Sequence, residues 1–177
     1  MRCTAPPADA ALAEMNRLAG QPRPLTAACW LDNRLYLRLA GAASAVDSTA
    51  RQWPGEILEE GDAFWRDLRE QRLAFFAGDA PLWRFSVGST ASHALPRSPW
   101  LLDWGGSQRW LRGTFDKAEL EALAEAAGGQ VALFRGGDRH GEVLHTQPAP
   151  LRQLQRRIKA ALDPDGIFNP GRLYGWL

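Results

Sequence analysis

The strongest constraint on the fold is a pattern that appears twice, with an offset of 74 residues. Alternating apolar and polar residues flank a tight turn at 32–33, and similar residues flank a second turn at 105–107. Asn, Asp and Gly tolerate the positive φ angles that hairpin turns require. A stretch with helical periodicity follows each hairpin, at 42–53 and at 115–129. The pattern therefore predicts two β-hairpins, each followed by a helix.

Each unit is also predicted to end in a strand, at 56–60 in the first and at 130–137 in the second. With the same offset, Gly55 corresponds to Gly129, just before these strands. Two such units indicate a pseudo-duplicated, ferredoxin-like α+β fold, with an antiparallel sheet and its helices packed on one face. Because any two β-β-α-β units align in this way, the α+β prediction holds with or without a true duplication.

If the duplication is real, residues 25–59 and 99–134 superpose. The periodicity predicts further helices and one more strand outside the two units. These are helices at 8–19, 61–73 and 148–162 and a strand at 82–88. No linker or low-complexity segment interrupts the chain, so residues 1–177 are predicted to form a single domain.

The composition excludes several classes of function. The formal net charge is +1, so no single-sign field points to nucleic acid or to a membrane surface. No apolar run approaches the roughly 20 residues of a membrane-spanning helix, and the N-terminal segment lacks the apolar core of a signal peptide. Two cysteines, Cys3 and Cys29, are too few for a disulfide framework and indicate a reducing cytoplasmic compartment.

The histidines do not form a metal-binding motif. His140 and His145 flank Glu142, but only His93, in a Ser/Pro-rich loop, could add a third histidine. No HExxH motif is present, so we expect ordinary hydrogen bonds from these residues and no metal site. The glycine pair at 136–137 follows a strand but precedes no helix, which argues against a phosphate cradle. The sequence identifies no catalytic residue.

Four charged residues are candidates for a face that meets a substrate or a partner. Arg84 lies in an aromatic strand between Trp83 and Phe85, so it points to the opposite face of the sheet from its neighbours. A guanidinium binds a carboxylate through two parallel hydrogen bonds; the alternative is an ion pair within the protein. The other three candidates come at a strand end and are Arg135, Asp138 and Arg139.

The last segment, DPDGIFNPGRLYGWL at 163–177, contains turn-forming and aromatic residues rather than the polar residues of a frayed terminus. Proline and glycine predict two successive turns here. We expect Ile167 and Phe168, between these turns, to be buried against an apolar surface. The second turn would then hold the amide of Asn169 and the guanidinium of Arg172 at a fixed place.

The segment KAALDPDGIFNPGRLY resembles the C-terminus of FAD-linked oxidases of the vanillyl-alcohol-oxidase type. Five further segments extend the resemblance over nearly the whole chain: ACWLDNRLYLRLAGAASAV, FWRDLREQRLAFF, PLWRFSV, DWGGSQRWL and LFRGGDRHGEVLH. Within that family, the chain looks most like the smaller flavin subunits of bacterial glycolate oxidases.

The resemblance implies a role for the tail. In this family the corresponding segment returns from the cap domain to the FAD-binding domain and lies against the flavin. The implied cofactor-binding residues of this chain are Asn169, Pro170, Gly171 and Arg172. The arginine candidates named above would line the space over the flavin.

Two features expected of such proteins are missing from the sequence. The Gly-rich N-terminal half that holds the adenine and pyrophosphate of FAD is absent, so residues 1–177 correspond to the C-terminal cap, or substrate, domain. We therefore expect FAD in the full-length subunit and none on this chain alone. The histidine-rich metal motif of the larger catalytic subunits is also absent, and the isolated chain is expected to be inactive.

The implied function is that of the cap domain of an FAD-dependent glycolate (2-hydroxyacid) oxidase or dehydrogenase subunit, in a complex that oxidises glycolate to glyoxylate. The implied partners are a larger flavin subunit and an iron–sulfur subunit, with a small 2-hydroxyacid as substrate. The implied location is the cytoplasm, or the periphery of the inner membrane through partner subunits. The alternative, from a different class, is a free-standing ferredoxin-like module that binds a partner protein through a tryptophan-rich face.

Overall fold

A computed structural model describes residues 2–4, 7–92 and 99–177 of the chain. Within these residues the regular elements are β1 Arg2–Thr4, α1 Ala8–Ala19, β2 Leu25–Leu31, β3 Arg34–Leu39, α2 Ala43–Gln52, α3 Gly61–Arg69, β4 Leu82–Ser86, β5 Trp100–Asp103, β6 Gln108–Arg112, α4 Lys117–Ala126, β7 Gln130–Arg135 and α5 Ala149–Leu162. Two short 3₁₀ turns, Ala74–Phe76 and Trp104–Gly106, precede β4 and β6.

The strands of the described residues form one sheet in the order β1-β3-β2-β5-β6-β4-β7. Every neighbouring pair is antiparallel. The four strands β4 to β7 lie in the spatial order β5-β6-β4-β7, which is the strand order of a ferredoxin-like unit. The α+β prediction is confirmed.

The two predicted hairpins are present, and a helix follows each of them. Asp32 and Asn33 adopt φ values of 49° and 55°, as the tight β2–β3 turn requires. In the β5–β6 connection, Gly105 has a φ of 64° within a 3₁₀ turn. The hairpin–helix order therefore recurs in both halves of the chain.

The strand predicted at 56–60 is not formed, so the two units do not share a hairpin–helix–strand topology. Ile57 is 75% exposed, and the chain enters α3 at Gly61. The edge of the sheet beside β3 is occupied by β1, whose Cys3 is paired with Leu35. Of the predicted strand, Glu56 alone forms an isolated β-bridge, and the segment does not continue as a strand beyond it.

Helices cover both faces of the sheet, which corrects the expectation of a single covered face. On one face, Met15 of α1 and Leu120 of α4 pack with the strand residues Trp30, Phe85 and Leu111. The opposite face holds a second cluster, whose members are Cys29, Leu31, Leu68, Phe76, Leu82, Leu101 and Trp110, with side chains of α3 packed against it. Along the strands, the side chains that point away from the first cluster are also largely apolar. Helices therefore pack on both faces of the sheet.

Arg109 is a charged residue buried in the first cluster's layer, at 1% exposure. Its guanidinium and Nε donate to four main-chain carbonyls, those of Gly106 (2.9 Å), Ser92 (3.1 Å), Gly88 (3.4 Å) and Ala91 (2.6 Å). Burial lowers the pKa of Arg109 from its usual value. The side chain thus fixes the segment after β4 against the start of β6.

The last helix, α5, has an apolar stripe but no buried residue. The exposed side chains of this stripe are Leu151, Leu154, Ile158 and Leu162. An amphipathic helix normally places such a stripe against a core. In this chain the stripe faces outward.

Candidate functional site

A groove of about 540 Å³ lies on the second face of the sheet, beneath α3. Its lining residues come from α3 and from six strands or their turns: Ala27, Arg38, Asp62, Trp65, Arg66, Leu68, Arg69, Gln71, Arg84, Asp103, Trp104, Gln108, Trp110 and Phe134. The helix is fixed over β3, because Phe64 stacks on Tyr36 with ring centroids 4.1 Å apart. We call this cavity the α3 groove.

Arginines outnumber carboxylates in the α3 groove by four to two. Among the described residues, no carboxylate pairs with Arg38, Arg66 or Arg84, whereas Arg69 contacts Glu70 at 2.8 Å. The internal ion pair considered for Arg84 is therefore not formed within this part of the chain. Its guanidinium lies 5.4 Å from the ring centroid of Phe134, as a cation–π contact.

Asp103 is a buried carboxyl in the wall of the α3 groove. Burial raises its pKa, although hydrogen bonds from the Trp104 amide and the Gln108 side chain oppose the shift. The Trp104 amide nitrogen lies 2.8 Å from Asp103 Oδ1. Trp104 itself has a φ of 51° and is 70% exposed, so a large aromatic side chain stands at the groove in a conformation that is uncommon for a non-glycine residue.

The structure does not bring the four predicted face residues together. Arg84 lines the α3 groove, but Arg135 donates to the carbonyl of Phe76 at 2.6 Å. Arg139 donates to the carbonyl oxygen of Leu133 at 3.0 Å, so it supports the loop after β7. Asp138 accepts from the backbone amide of His140 at 2.9 Å within that loop. Neither of these arginines, nor Asp138, lines the groove.

Sequence reasoning missed Arg38, Arg66 and Asp103 as groove residues. Arg38 lies between Leu37 and Leu39, so it shows the same alternation that singled out Arg84. That signal could have found Arg38. No local pattern distinguishes Arg66 from the other arginines of an amphipathic helix.

The glycine pair at 136–137 serves packing rather than phosphate binding. Both residues have positive φ angles, 69° and 67°. A Cβ on Gly136 would lie 3.2 Å from the carbonyl oxygen of Asp79, and one on Gly137 would lie 3.3 Å from Pro81 Cγ. The glycines therefore let the end of β7 approach the segment before β4.

The first turn of the tail is organised by Asp163. Its carboxylate accepts from the amides of Ile167 and Phe168, both at 3.0 Å, and it pairs with Lys159. The side chains of Ile167 and Phe168 are nevertheless 69% and 67% exposed. The prediction that they are buried is wrong for this chain, because the turn holds their amides but leaves both side chains exposed.

Asp163→Asn should loosen this turn. The hydrogen bond from Lys159, followed by the two amide hydrogen bonds, lowers the pKa of Asp163. The ionised carboxylate therefore contributes to the stability of the turn above the usual carboxyl pKa. This contribution is lost as the pH falls through the lowered pKa. We expect faster amide exchange at Ile167 and Phe168 in the variant, measured by NMR. Asp165→Asn, in the same turn, is the control and should exchange as the wild type does. Equal exchange rates in all three proteins would contradict the role of Asp163.

The end of the tail is docked on the segment after β7. Tyr174 is buried, and its hydroxyl donates to the carbonyl of His145 at 3.1 Å and accepts from Gln147 Nε2 at 2.9 Å. The Gly175 amide donates to Glu142 Oε1 at 2.7 Å. His145 Nδ1 accepts from the Val131 amide at 3.3 Å, an ordinary hydrogen bond of the kind expected for this histidine.

His93 lies outside the described residues. Among the residues that the structure does describe, no group of three or more His, Cys, Asp or Glu side chains could hold a metal ion.

Between its two anchors, the tail presents an exposed surface. Residues 169–172 are exposed, and Asn169 adopts a φ of 48° where the second turn begins. Exposed apolar side chains lie on either side of these four residues, at Ile167, Phe168 and Leu173. They follow the apolar stripe of α5 in the sequence. We call the α5 stripe and these three residues the apolar C-terminal face.

Residues 137–173 match the family model described as "FAD linked oxidases, C-terminal domain". The matched segment includes α5 and both turns of the tail. The predicted resemblance to the FAD-linked oxidases is therefore confirmed.

One relative of the chain is the glycolate oxidase subunit GlcE of Escherichia coli strain K12. The chain is 38% identical to it over 167 residues, which cover 94% of the chain and 46% of the relative. The chain thus spans about half the length of the curated relative that it matches. No solved structure matches. Within the described residues, no helix combines the length and the apolar character needed to cross a membrane.

Proposed function

We propose that this chain is the cap, or substrate, domain of an FAD-dependent glycolate (2-hydroxyacid) oxidase subunit that acts within a multi-subunit complex. The observation that carries the proposal is the 38% identity over 94% of the chain to a protein named as a glycolate oxidase subunit. The match extends over 167 of the 177 residues, so it is not confined to the C-terminal motif.

The α3 groove supports the substrate part of the proposal. Arg84 is half-buried, lies beside Trp110 in the adjacent strand and has no carboxylate partner among the described residues. A guanidinium in such a setting is suited to a carboxylate, which it binds in a fixed plane. The arginine would orient a small 2-hydroxyacid, and Trp110 and Phe134 would exclude water around it.

The residues of this chain fit one edge of FAD and not the whole cofactor. Asn169, Pro170, Gly171 and Arg172 are exposed and fixed between anchored segments, so they can meet the ring system. The pyrophosphate needs backbone amides from a Gly-rich turn or a helix start, and the glycine pair at 136–137 is used for packing. When bound, the flavin supplies the hydride acceptor. FAD is therefore assigned to the full-length subunit, and we expect none on this chain alone.

The apolar C-terminal face is the surface that this proposal assigns to the flavin-binding half of the subunit. Ile158, Phe168 and Leu173 are each at least half exposed, although the segment that holds them matches the FAD-linked oxidase model. Burial of these side chains, about 25 cal/mol for each Å² of apolar surface, would stabilise the docking of a second domain.

The partners that we propose are a larger flavin subunit and an iron–sulfur subunit, with a small 2-hydroxyacid as substrate. The cytoplasm is the proposed location, with attachment at the inner membrane only through those partners. A balanced charge and the absence of a membrane-crossing helix among the described residues are compatible with this assignment.

The test is to join the chain to a flavin-binding half, assemble it with candidate partner subunits and measure glycolate-dependent dye reduction. Arg84→Ala should raise the KM for glycolate by about tenfold or more, since a charged hydrogen-bonded pair is lost. Arg72→Ala, an exposed arginine outside the groove, is the matched control. The chain alone, mixed with FAD and gel-filtered, should elute without flavin. Bound flavin on the chain alone, or an unchanged KM in Arg84→Ala, would contradict the respective assignment.

The second candidate function is a free-standing module that binds a partner protein and has no catalytic activity. Its support is the exposed aromatic and apolar surface, with Trp104 at 70% and Leu162 at 79% exposure. Assembly with partner subunits but no glycolate-dependent activity in the joined protein would favour it.

A further inference from the structure

The α3 groove is longer than a small acid substrate requires. Arg38 is in β3 and Arg84 is in β4, and three strands lie between them in the sheet. Four strand spacings of about 4.8 Å place the two backbones about 19 Å apart. A two-carbon acid held by Arg84 therefore leaves the β3 end of the groove unfilled.

The β3 end has its own positive charges. Arg38 extends from the sheet beside Ala27, its cross-strand neighbour. Arg66 extends from α3, which the stacking of Phe64 on Tyr36 fixes over this strand. Both arginines are exposed, and neither pairs with a carboxylate among the described residues. Both side chains line the α3 groove, which has a volume of about 540 Å³.

The carboxylates of the groove do not neutralise this end. Asp103 is buried in the β5 wall, where the Trp104 amide and the Gln108 side chain occupy its oxygens. Asp62, in the first turn of α3, is exposed and has no ion pair with either arginine in the described part of the chain. The local field at the β3 end is therefore positive.

We propose that the β3 end of the α3 groove binds an extended acidic segment of another subunit, with Arg38 and Arg66 on its carboxylates and the exposed ring of Trp104 against its apolar parts. This inference rests on the proposed function, because it assumes that the chain is one subunit of a complex. An extended peptide spans about 3.3 Å for each residue, so about three of its residues cover the β3 end of the groove and leave the Arg84 end free for the substrate. Charge complementarity of this kind fixes the register of a partner and accelerates its association.

The experiment uses the full 177-residue chain and a fluorescein-labelled hexaglutamate peptide, with hexaglutamine as the neutral probe. Fluorescence anisotropy at about 50 mM and about 500 mM salt measures binding and its screening. We expect hexaglutamate to bind at low salt and hexaglutamine not to bind. The double variant Arg38→Glu, Arg66→Glu should weaken hexaglutamate binding by at least about tenfold. The charge-matched control is Arg72→Glu, Arg157→Glu, outside the groove, which should bind as the wild type does.

Three results would overturn the inference. Equal loss of binding in the control double variant would show a nonspecific charge effect. Full displacement of the peptide by glycolate, or loss of peptide binding in Arg84→Ala, would show that the peptide occupies the substrate end instead. No binding of hexaglutamate at low salt would also contradict it. None of these measurements depends on flavin or on turnover. Peptide binding can therefore be absent while the proposed oxidase function holds, and oxidase activity can be absent while peptide binding holds.

Discussion

Gly129→Ala is expected to lower the free energy of unfolding by about 3 kcal/mol or more, and to do so without any change in charge or polarity. A Cβ at this position would lie 2.0 Å from the carbonyl oxygen of Ser86 and 2.6 Å from Val87 Cα. These are backbone atoms at the end of β4, so they cannot turn away as a side chain would. The Gly129 amide also donates to the carbonyl of Ala124 at 2.8 Å, which ends α4.

Urea denaturation followed by circular dichroism measures this effect. Gly141→Ala is the matched control, because nothing lies within 4 Å of the added Cβ and the backbone conformation is ordinary. The control should stay within about 0.5 kcal/mol of the wild type. A Gly129→Ala protein as stable as Gly141→Ala would mean that α4 and β4 are not in the close contact described.

Arg109→Met is expected to cost about 3 kcal/mol or more, since it leaves buried carbonyl groups without donors. Four carbonyls accept hydrogen bonds from this guanidinium in the wild type, and methionine fills a similar volume while donating nothing. The effect should appear as a lower midpoint of thermal unfolding, together with increased protease cleavage between Gly88 and Ser92.

Arg112→Met is the comparison for this prediction. Arg112 donates a hydrogen bond to the main-chain carbonyl of Phe75 at 3.0 Å, and it is less buried than Arg109. We expect a cost of about 1 kcal/mol for it. If the two methionine variants unfold at the same temperature, the role of Arg109 in fixing the segment after β4 is wrong.

The local parts of the fold could be predicted from the sequence. Asp32 and Asn33 were identified as a turn because their side chains tolerate positive φ, and that turn sets the pairing of the first hairpin. The helical spacing of Phe64 and Leu68 also indicates which side of α3 packs on the sheet, and in the structure Leu68 is buried and Phe64 is partly buried. Which face of the sheet α3 would cover was not predictable, because both faces of the strands are apolar.

The candidate site was less predictable, because it depends on pairing between strands that are distant in the sequence. Arg84 could be selected by alternation within one strand, but its position relative to Arg38 follows only from the order of five strands. The error at Phe168 has a similar origin. An apolar residue between two turns predicts burial, but the local sequence does not identify the surface that would cover it.

The exposed α5 has a consequence for how this segment reaches its folded state. A helix of 14 residues is marginally stable by itself in water, because nucleation is costly and only packing offsets it. In α5 that packing is limited, with Arg156 lying 5.3 Å from the ring centroid of Trp176 and Lys159 bound to Asp163. In the proposed docking of the flavin-binding half, ordering of the helix and association would therefore be one coupled equilibrium, and helix formation would consume part of the association free energy.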